Sequence, residues 1–198
     1  MQELPLVERP TAATERADAA SNRRRILTVA ARLFQERGAD HVSMQDVARE
    51  ACVGMGTMYR RFGDRAGLTE ELLSEETRGF QDEMLRGAPP LGPGAPPRER
   101  LHAWGRGQLQ LLEGHAVWLA AAGKGPGMGG PDGFYRMHLG ILLREAAPQI
   151  DVEYAVLSLM AALDARLYLH LREDLGWSLE RVQDGWCAQV DGWLGVDR

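Results

Sequence analysis

The fold of this chain is decided by the stretch Ser43-Met-Gln-Asp-Val-Ala-Arg-Glu-Ala-Cys-Val-Gly-Met-Gly-Thr-Met-Tyr-Arg-Arg-Phe62. Ser43 is followed three positions later by Asp46, which resembles a capping box with Asp in place of the usual Glu or Gln. The short helix that follows has small apolar residues facing inward: Val47, Ala48 and Ala51. Because a second helix can cross closely over such a face, the stretch predicts a helix-turn-helix.

The second helix of this motif is predicted to begin at Gly54, with Val53 filling the turn. Met58 and Phe62 are four apart and can both face the core. The residues then left pointing outward are Met55, Thr57, Tyr59, Arg60 and Arg61. Hydroxyl and guanidinium groups on a short exposed helix suit the DNA major groove. A helical hairpin with a solvated basic face explains the periodicity equally well.

Composition is that of a globular protein, with 44% hydrophobic and 26% charged residues among 198. No apolar run approaches the roughly 20 residues of a membrane-spanning helix, so no membrane partner is predicted. The two cysteines, Cys52 and Cys187, lie far apart and match no disulfide framework or zinc signature. A reducing, cytoplasmic location is expected, with no metal and no cofactor.

Charge is distributed unevenly along the chain, whose formal net charge is −5. Residues 21–70 carry nine arginines and six acidic residues, a net +3, whereas residues 71–198 carry a net −6. DNA binding needs positive charge at the contact surface and not over the whole protein. The distribution therefore permits a DNA-binding N-terminal region without proving one.

The periodicity throughout is helical, so the predicted fold class is all-α. Residues 1–20 are expected to be a disordered leader, residues 21–68 a helix-turn-helix DNA-binding domain and residues 69–198 a regulatory domain. Two Pro/Gly-rich stretches, 87–97 and 123–133, are interpreted as loops. The predicted helices outside the motif cover residues 21–37 (ended by Gly38), 68–85, 98–119, 134–146, 151–174 and 178–194, the last capped by Ser178.

Residues 25–73 resemble, without a gap, the DNA-binding domain of the tetracycline-repressor-like (TetR) family. The resemblance is carried by Ile26, Ala30, Ala31, Leu33, Phe34, Gly38, Ser43, Asp46, Val47, Ala48, Ala51, Val53, Gly56, Thr57, Met58, Tyr59, Phe62 and Leu68. It implies an N-terminal three-helix DNA-binding domain and a C-terminal helical domain for effector binding and dimerisation. The implied function is a transcriptional regulator, commonly a repressor, that binds a palindromic operator as a homodimer and is released by a small molecule.

The resemblance also assigns roles within the motif. Thr57, Tyr59 and Arg61 would bind DNA phosphates, and Arg65 would do so at the start of the next helix, where the family usually has Lys. Gln45 and Met55 would approach base edges. The full predicted DNA-binding set is Ser43, Met44, Gln45, Gly54, Met55, Gly56, Thr57, Tyr59, Arg60, Arg61 and Arg65.

Two residues depart from the family pattern. Cys52 stands where the family usually has Gly, at a turn expected to favour positive φ, so some strain is predicted. Gly54 stands where Ser is frequent, which removes a side-chain cap. Cys52 could be a redox sensor, although a structural thiol is the simpler interpretation because no adjacent cation is evident.

An effector pocket is expected in the second domain, lined by aromatic, Met and polar side chains. Its candidates are Trp104, Gln108, Leu111, His115, Trp118, Phe134, Tyr135, His138, Leu142 and Met160. Ordinary core packing is the competing explanation for each of these residues. Asp164 and Arg166 could serve a pocket or interface, or simply lie on a solvated face.

The last two predicted helices, 151–174 and 178–194, are expected to pair with those of a second copy as a four-helix bundle. The candidate interface residues are Leu163, Leu167, Leu171, Val182, Trp186, Val190 and Trp193. The alternative is that these helices only complete the core of one chain.

Two other classes of protein are the alternatives to a transcriptional regulator. An enzyme is not predicted, because the sequence has no glycine-rich phosphate loop, metal-spaced cluster or nucleophile elbow. A helical adapter that binds protein and not DNA remains the second alternative, and it would show no salt-dependent DNA affinity.

Overall fold

The computed structural model describes residues 12–38, 41–121 and 132–195. Within these ranges the regular structure is helical and contains no strand, which confirms the all-α fold class. The helices are α1 (Ala12–Arg37), α2 (Met44–Glu50), α3 (Met55–Phe62), α4 (Arg65–Arg86), α5 (Pro97–Ala121), α6 (Asp132–Ala146), α7 (Val152–Ala161), α8 (Ala165–Leu169) and α9 (Leu179–Leu194).

The chain divides into two compact units, one ending at Leu72 and the other beginning at Leu73. Helix α4 begins in the first unit and continues in the second. The boundary expected from the sequence, after residue 68, stays a prediction.

The first unit is built around one face of α1. The predicted apolar stripe is buried there and packs with α2, α3 and the start of α4: Ile26, Ala30, Leu33 and Phe34. Gly38 ends the helix as expected, at φ 80°, with its N–H donating to the Phe34 carbonyl at 2.9 Å.

Helix α1 begins earlier than the sequence pattern indicated. It starts at Ala12, so the expectation of a disordered leader over residues 1–20 is wrong for residues 12–20. This segment contains five alanines and neither Gly nor Pro, a composition with high helix propensity. Residues 1–11 lie outside the described ranges.

The second unit is arranged around α5, which packs against α6, α8 and α9. Two glycines allow close approach on α5. A Cβ at Gly105 would lie 1.9 Å from Nε1 of Trp186, and a Cβ at Gly107 would lie 2.3 Å from the Phe80 ring. The indole of Trp186 therefore lies directly on α5, where its N–H donates to the Leu101 carbonyl at 3.1 Å.

The single long helix predicted over residues 151–174 is wrong. The segment forms α7, a turn, α8 and a π-helical continuation, His170–Asp174. Asp164 is the N-cap of α8 and accepts from the backbone N–H groups of Arg166 and Leu167 at 2.9 and 3.0 Å. A short carboxylate that satisfies these groups favours a helix start over a helix interior.

The bounds of the other predicted helices agree closely with those of the observed helices. Ser178 caps α9, accepting from the Arg181 N–H at 3.1 Å. The predicted loop at 123–133 lies outside the described ranges up to residue 131, and α6 begins at Asp132. No helix among the described residues is long and apolar enough to cross a membrane.

Candidate nucleic-acid interface

The capping box that opens α2 is present as predicted. The Ser43 hydroxyl accepts from the Asp46 N–H at 3.2 Å, and an Asp46 carboxylate oxygen accepts from the Ser43 N–H at 3.1 Å. The Ser43 hydroxyl also donates to this carboxylate at 2.6 Å, the largest cause of a lowered pKa of Asp46. The start of the motif is thus fixed by local chemistry, and Asp serves in place of Glu.

The turn between α2 and α3 has the geometry that its unusual residues suggested. Cys52 adopts φ 52°, which makes it the one non-glycine residue with positive φ in the described part of the chain. Val53 donates its N–H to the Ala48 carbonyl at 3.0 Å and packs against the core of the first unit. Cys52 itself is exposed.

Helix α3 has one buried and one open face, as its sequence predicted. Met58 and Phe62 are 0% and 7% exposed, whereas Tyr59 is 56% exposed. Arg60 and Arg61 are also exposed, and Met55 and Thr57 are half-buried. Gly54 precedes this helix in an extended conformation, and among the described residues no side-chain hydrogen bond caps α3.

One member of the predicted DNA-binding set is misplaced. Met44 is buried, 9% exposed, and belongs to the core of the first unit, so it is not available to a base edge. Its neighbour Gln45 is exposed, as are Ser43, Gly54 and Gly56. Arg65 is half-buried at the first position of α4.

Arg61 has a structural contact that the sequence pattern did not reveal. Its guanidinium donates to the Ala19 carbonyl of α1 at 2.8 Å. This contact depends on the early start of α1, so no motif within residues 43–62 could have indicated it. Arg61 therefore ties α3 to α1, and its guanidinium has further N–H donors beyond this bond.

The junction between α3 and α4 is held by three residues. Gly63 adopts φ 74° and ends α3 with its N–H on the Tyr59 carbonyl. Asp64 accepts from the Gly67 N–H at 2.9 Å. A Cβ at Gly67 would lie 2.0 Å from the Phe62 carbonyl oxygen, so only glycine fits where α4 approaches the end of α3. The orientation of α3 relative to the first turn of α4 is thereby fixed.

These features define the first unit as a helix-turn-helix domain, with α2 as the supporting helix and α3 as the exposed one. Residues 26–72 match the family model described as bacterial regulatory proteins, tetR family. The resemblance is confirmed over these residues, which are similar to the N-terminal domain of that family.

Known proteins extend this comparison. An HTH-type transcriptional regulator of Staphylococcus aureus (strain bovine RF122 / ET3-1) is 40% identical over 65 residues, which is 33% of this chain and 35% of that protein. The chain thus matches about a third of the length of its curated relatives. A TetR-family transcriptional regulator of Streptomyces coelicolor superposes with TM-score 0.59 at 20% identity, covering 89% of this chain and 95% of that one.

AibR, solved in complex with isovaleryl coenzyme A and operator DNA, superposes with TM-score 0.51 at 21% identity, covering 84% of this chain and 96% of that one. At these identities the superpositions establish a shared fold. They extend over both units, whereas the sequence match covers the first.

Five of the residues predicted to line an effector pocket belong to the core of the second unit or pack against it: Trp104, Phe134, Tyr135, Leu142 and Met160. Trp104 stacks edge-on against Tyr135, with ring centroids 5.4 Å apart, and Phe134 lies beside Tyr135. The buried members of the set are Trp104, His115, Tyr135, His138, Leu142 and Met160. Gln108, Leu111, Trp118 and Phe134 are half-buried.

Several polar atoms of this core have no hydrogen-bond partner among the described residues: Arg100 Nε, Trp104 Nε1, Gln108 Nε2, His115 Nδ1 and His138 Nε2. Four of these five residues belong to the predicted pocket, and Arg100 was missed. Burial, and then the nearby Arg100 guanidinium, lower the pKa of His138 to about 4. The other ring nitrogen of His115, Nε2, lies 2.7 Å from the Glu76 carboxylate.

Part of the predicted dimer interface is wrong. Val182, Trp186 and Val190 are at most 7% exposed and pack in the core of the second unit, so they offer no surface to a second copy. Their four-residue spacing marks the face that meets α5 instead. Leu163, Leu171 and Trp193 are partly buried against that core, and Leu167 is 41% exposed.

Proposed function

We propose that this protein is a ligand-responsive transcriptional regulator that binds a palindromic DNA operator as a homodimer and is released by a small-molecule effector. The observation that carries the proposal is the two-sided character of α3. Met58 and Phe62 anchor the helix in the core, while Tyr59 and Arg60 extend from its opposite face. A rigidly mounted helix with exposed donors is what major-groove docking requires.

The exposed face of α3 divides into two kinds of contact. Tyr59, Thr57 and Arg61 would hold phosphates, because hydroxyl and guanidinium donors fit phosphate oxygens. Met55 on α3 and Gln45 on the neighbouring α2 would face base edges, where a thioether can contact the thymine methyl and an amide can pair with adenine. Gly56 has open space around it among the described residues, which would let the backbone of α3 approach the DNA closely.

The test uses full-length protein and a randomised duplex library, from which bound sequences are selected. We expect an inverted repeat to emerge, and the combined Tyr59→Phe and Arg61→Ala variant to bind it at least tenfold more weakly, because each lost phosphate contact is worth about 1.5–3 kcal/mol. The dependence of log K on log salt should also become shallower by about one unit.

A matched control is Arg78→Ala, which removes an exposed arginine from the second unit. Its affinity for the selected duplex should stay within about twofold of the wild type, since surface ion pairs contribute little. Undiminished specific binding by the double variant would show that the phosphate assignments are wrong. Absence of any specific duplex would favour a protein-binding adapter.

Dimerisation is proposed through the exposed sides of α7 and α9. On α7, Tyr154 and Leu157 are 64% and 47% exposed and lie three residues apart, on one face. On α9, Gly185 and Gly192 have open space around them among the described residues, which permits close helix approach. The two helices lie side by side, since Gln189 donates to the Ser158 hydroxyl at 3.1 Å.

Binding two adjacent half-sites requires the two α3 helices of the proposed dimer to lie about 34–36 Å apart. A modest rotation of one half against the other would abolish simultaneous binding. We therefore expect repression by occupying a promoter, relieved when an effector binds and shifts the spacing of the two α3 helices.

An effector site is proposed in the core of the second unit. Its support is the set of buried polar atoms that have no partner among the described residues, which a bound molecule would satisfy. AibR, whose fold this chain shares, is seen with isovaleryl coenzyme A and operator DNA together. We expect the protein to act in the cytoplasm, where its proposed DNA partner would be found.

A further inference from the structure

A row of polar side chains runs along the inward side of α5. Arg100, Trp104 and Gln108 are four residues apart, and His115 follows two turns later. At about 100° per residue these four positions fall within about 80° of one another, so they share one side of the helix. Each has a buried nitrogen without a hydrogen-bond partner in the described part of the chain.

Three of the four free nitrogens in this row are hydrogen-bond donors only. The arginine Nε, the indole Nε1 and the amide nitrogen of Gln108 can only donate hydrogen bonds. Trp104 is 0% exposed, so water from outside the fold does not reach its N–H. Buried donors without acceptors destabilise a core, whereas a ligand that supplies the acceptors removes that cost.

The opposite wall of this region comes from α6. Tyr135 of α6 makes the edge-on contact with Trp104, so α6 packs against the row at this point. His138 lies one turn further along α6. With a pKa of about 4, His138 is neutral at pH 7. Arg100 is therefore the cation of this row, while the Glu76 carboxylate is bound to His115 near the other end.

The length of the row limits the shape of a ligand. Arg100 and Gln108 are eight residues apart, a rise of about 12 Å at 1.5 Å per residue, and Trp104 lies about 6 Å from each along the helix. Trp104 belongs to an apolar core that also includes Leu139, Leu142 and Met160. The Nη2 of Arg100 donates to the Met84 carbonyl at 3.4 Å, which leaves its Nε towards the row. An elongated apolar body with acceptors about 6 Å apart fits this spacing.

We infer that the row on α5 binds an elongated organic acid, with its carboxylate on Arg100 and a second acceptor, such as a keto oxygen, on Trp104. This inference deepens the proposed function and rests on it in one respect, since the acid would be the effector of the regulator. An amine is disfavoured at Arg100, Trp104 and Gln108, because their free nitrogens are donors and one of them is cationic.

The test is calorimetric titration of the full-length protein, without DNA, with four probes that share a ten-carbon chain. They are 6-oxodecanoate, whose keto oxygen lies about 6 Å from the carboxylate, decanoate, methyl 6-oxodecanoate and decylamine. We expect 6-oxodecanoate to bind at least tenfold more tightly than its methyl ester, because a charge-assisted hydrogen bond is lost in the ester. Decanoate should be weaker than 6-oxodecanoate, and decylamine should not bind.

Two variants assign the contacts separately. Arg100→Met should remove the preference for acid over ester, and Trp104→Phe should remove the preference for 6-oxodecanoate over decanoate. Arg136→Met, at an exposed arginine of α6, is the matched control and should bind like the wild type. Thermal unfolding of each variant establishes that it is folded, and Arg100→Lys provides a second, charge-conserving test in which weaker acid binding is expected.

The inference is overturned if 6-oxodecanoate shows no saturable binding up to millimolar concentration, if decylamine or the ester binds as tightly as the acid, or if Arg100→Met leaves acid affinity unchanged. Its failure is separable from that of the proposed function. A protein that selects an inverted-repeat duplex but binds no acid loses the inference alone. Acid binding that never releases DNA keeps the inference and contradicts the regulatory role.

Discussion

Cys52 carries a measurable conformational cost in the turn of the helix-turn-helix. Its φ of 52° lies in the left-handed region, which costs a residue with a Cβ about 1–2 kcal/mol. Cys52→Gly should therefore raise the free energy of unfolding by about 0.5–1 kcal/mol, part of the gain being offset by the greater backbone entropy of glycine. Chemical denaturation at constant pH measures this change.

Cys52→Ala is the matched control, because it removes the thiol and keeps the Cβ. Its stability should remain within about 0.5 kcal/mol of the wild type, since the side chain is exposed. An alanine variant as stable as the glycine variant would mean that the thiol, and not the backbone conformation, causes the loss of stability at position 52.

His138 gives the second unit a dependence on pH. Its pKa is about 4 in the folded chain against 6.5 ordinarily, so the unfolded state takes up the proton first as pH falls. The stabilisation is complete above about pH 6.5, declines as pH falls towards 4, and is then lost, a total on the order of 3 kcal/mol. His138→Leu should flatten this part of the curve of unfolding free energy against pH.

The comparison uses His170→Gln, at an exposed histidine of the π-helical segment. This variant should keep the decline between pH 6.5 and 4. A wild-type slope that persists unchanged in His138→Leu would assign the pH dependence to other groups.

At the scale of elements, the start of α4 depends on one glycine. Gly67→Ala would force a Cβ against the Phe62 carbonyl oxygen, at 2.0 Å before relaxation, so α3 or α4 must shift. We expect a loss of at least about 2 kcal/mol in unfolding free energy, as for other overpacked sites. Weaker DNA binding should accompany it, because α3 is mounted on this junction.

Gly79 of the same helix supplies the control, since a Cβ there meets nothing within 4 Å among the described residues. Gly79→Ala should stabilise the protein by up to about 1 kcal/mol through helix propensity. If both substitutions stabilise the protein, the close approach at Gly67 does not require glycine at the junction of α3 and α4.

The elements that could be predicted from the sequence are those whose determinants are local. The capping box at Ser43, the inward Met58 and Phe62, and the glycine end of α1 each depend on residues within a few positions. Leucines four apart continue through residues 159–171, so their spacing concealed the break at which Asp164 starts α8. In the sequence the leucine periodicity is the more conspicuous pattern at this point, but in the structure the cap at Asp164 determines where the helix begins.

The candidate sites were less predictable because they depend on which surface another element covers. The stripe of Val182, Trp186 and Val190 is apolar whether it meets α5 or a second chain, and only the fold shows that it meets α5. The prediction of Met44 as a DNA contact is wrong for the same reason. Arg100 was missed because an isolated arginine in a helix ordinarily indicates a solvated face.

On the scale of the whole molecule, the proposed operator binding depends on the proposed dimerisation. Three residues of the predicted interface lie in the core, so the interface is proposed at Tyr154 and Leu157 on α7 instead. Trp193 of α9 lies beside them, with its ring centroid 6.2 Å from that of Tyr154. Two adjacent half-sites are bound together only by a dimer, so monomers retain just the weaker affinity of a single α3.

The combined Tyr154→Glu and Leu157→Glu variant would bury like charges in this interface, and we expect a monomer by light scattering at micromolar concentration. Affinity for the inverted repeat should fall by at least a hundredfold, since the gain from simultaneous engagement is about 10²–10⁴. Tyr59→Phe should show the converse pattern, weaker DNA binding at unchanged mass. Met137→Glu, at a 57% exposed residue of α6, is the matched surface control. Dissociation by Met137→Glu and not by the α7 variant would place the interface on α6.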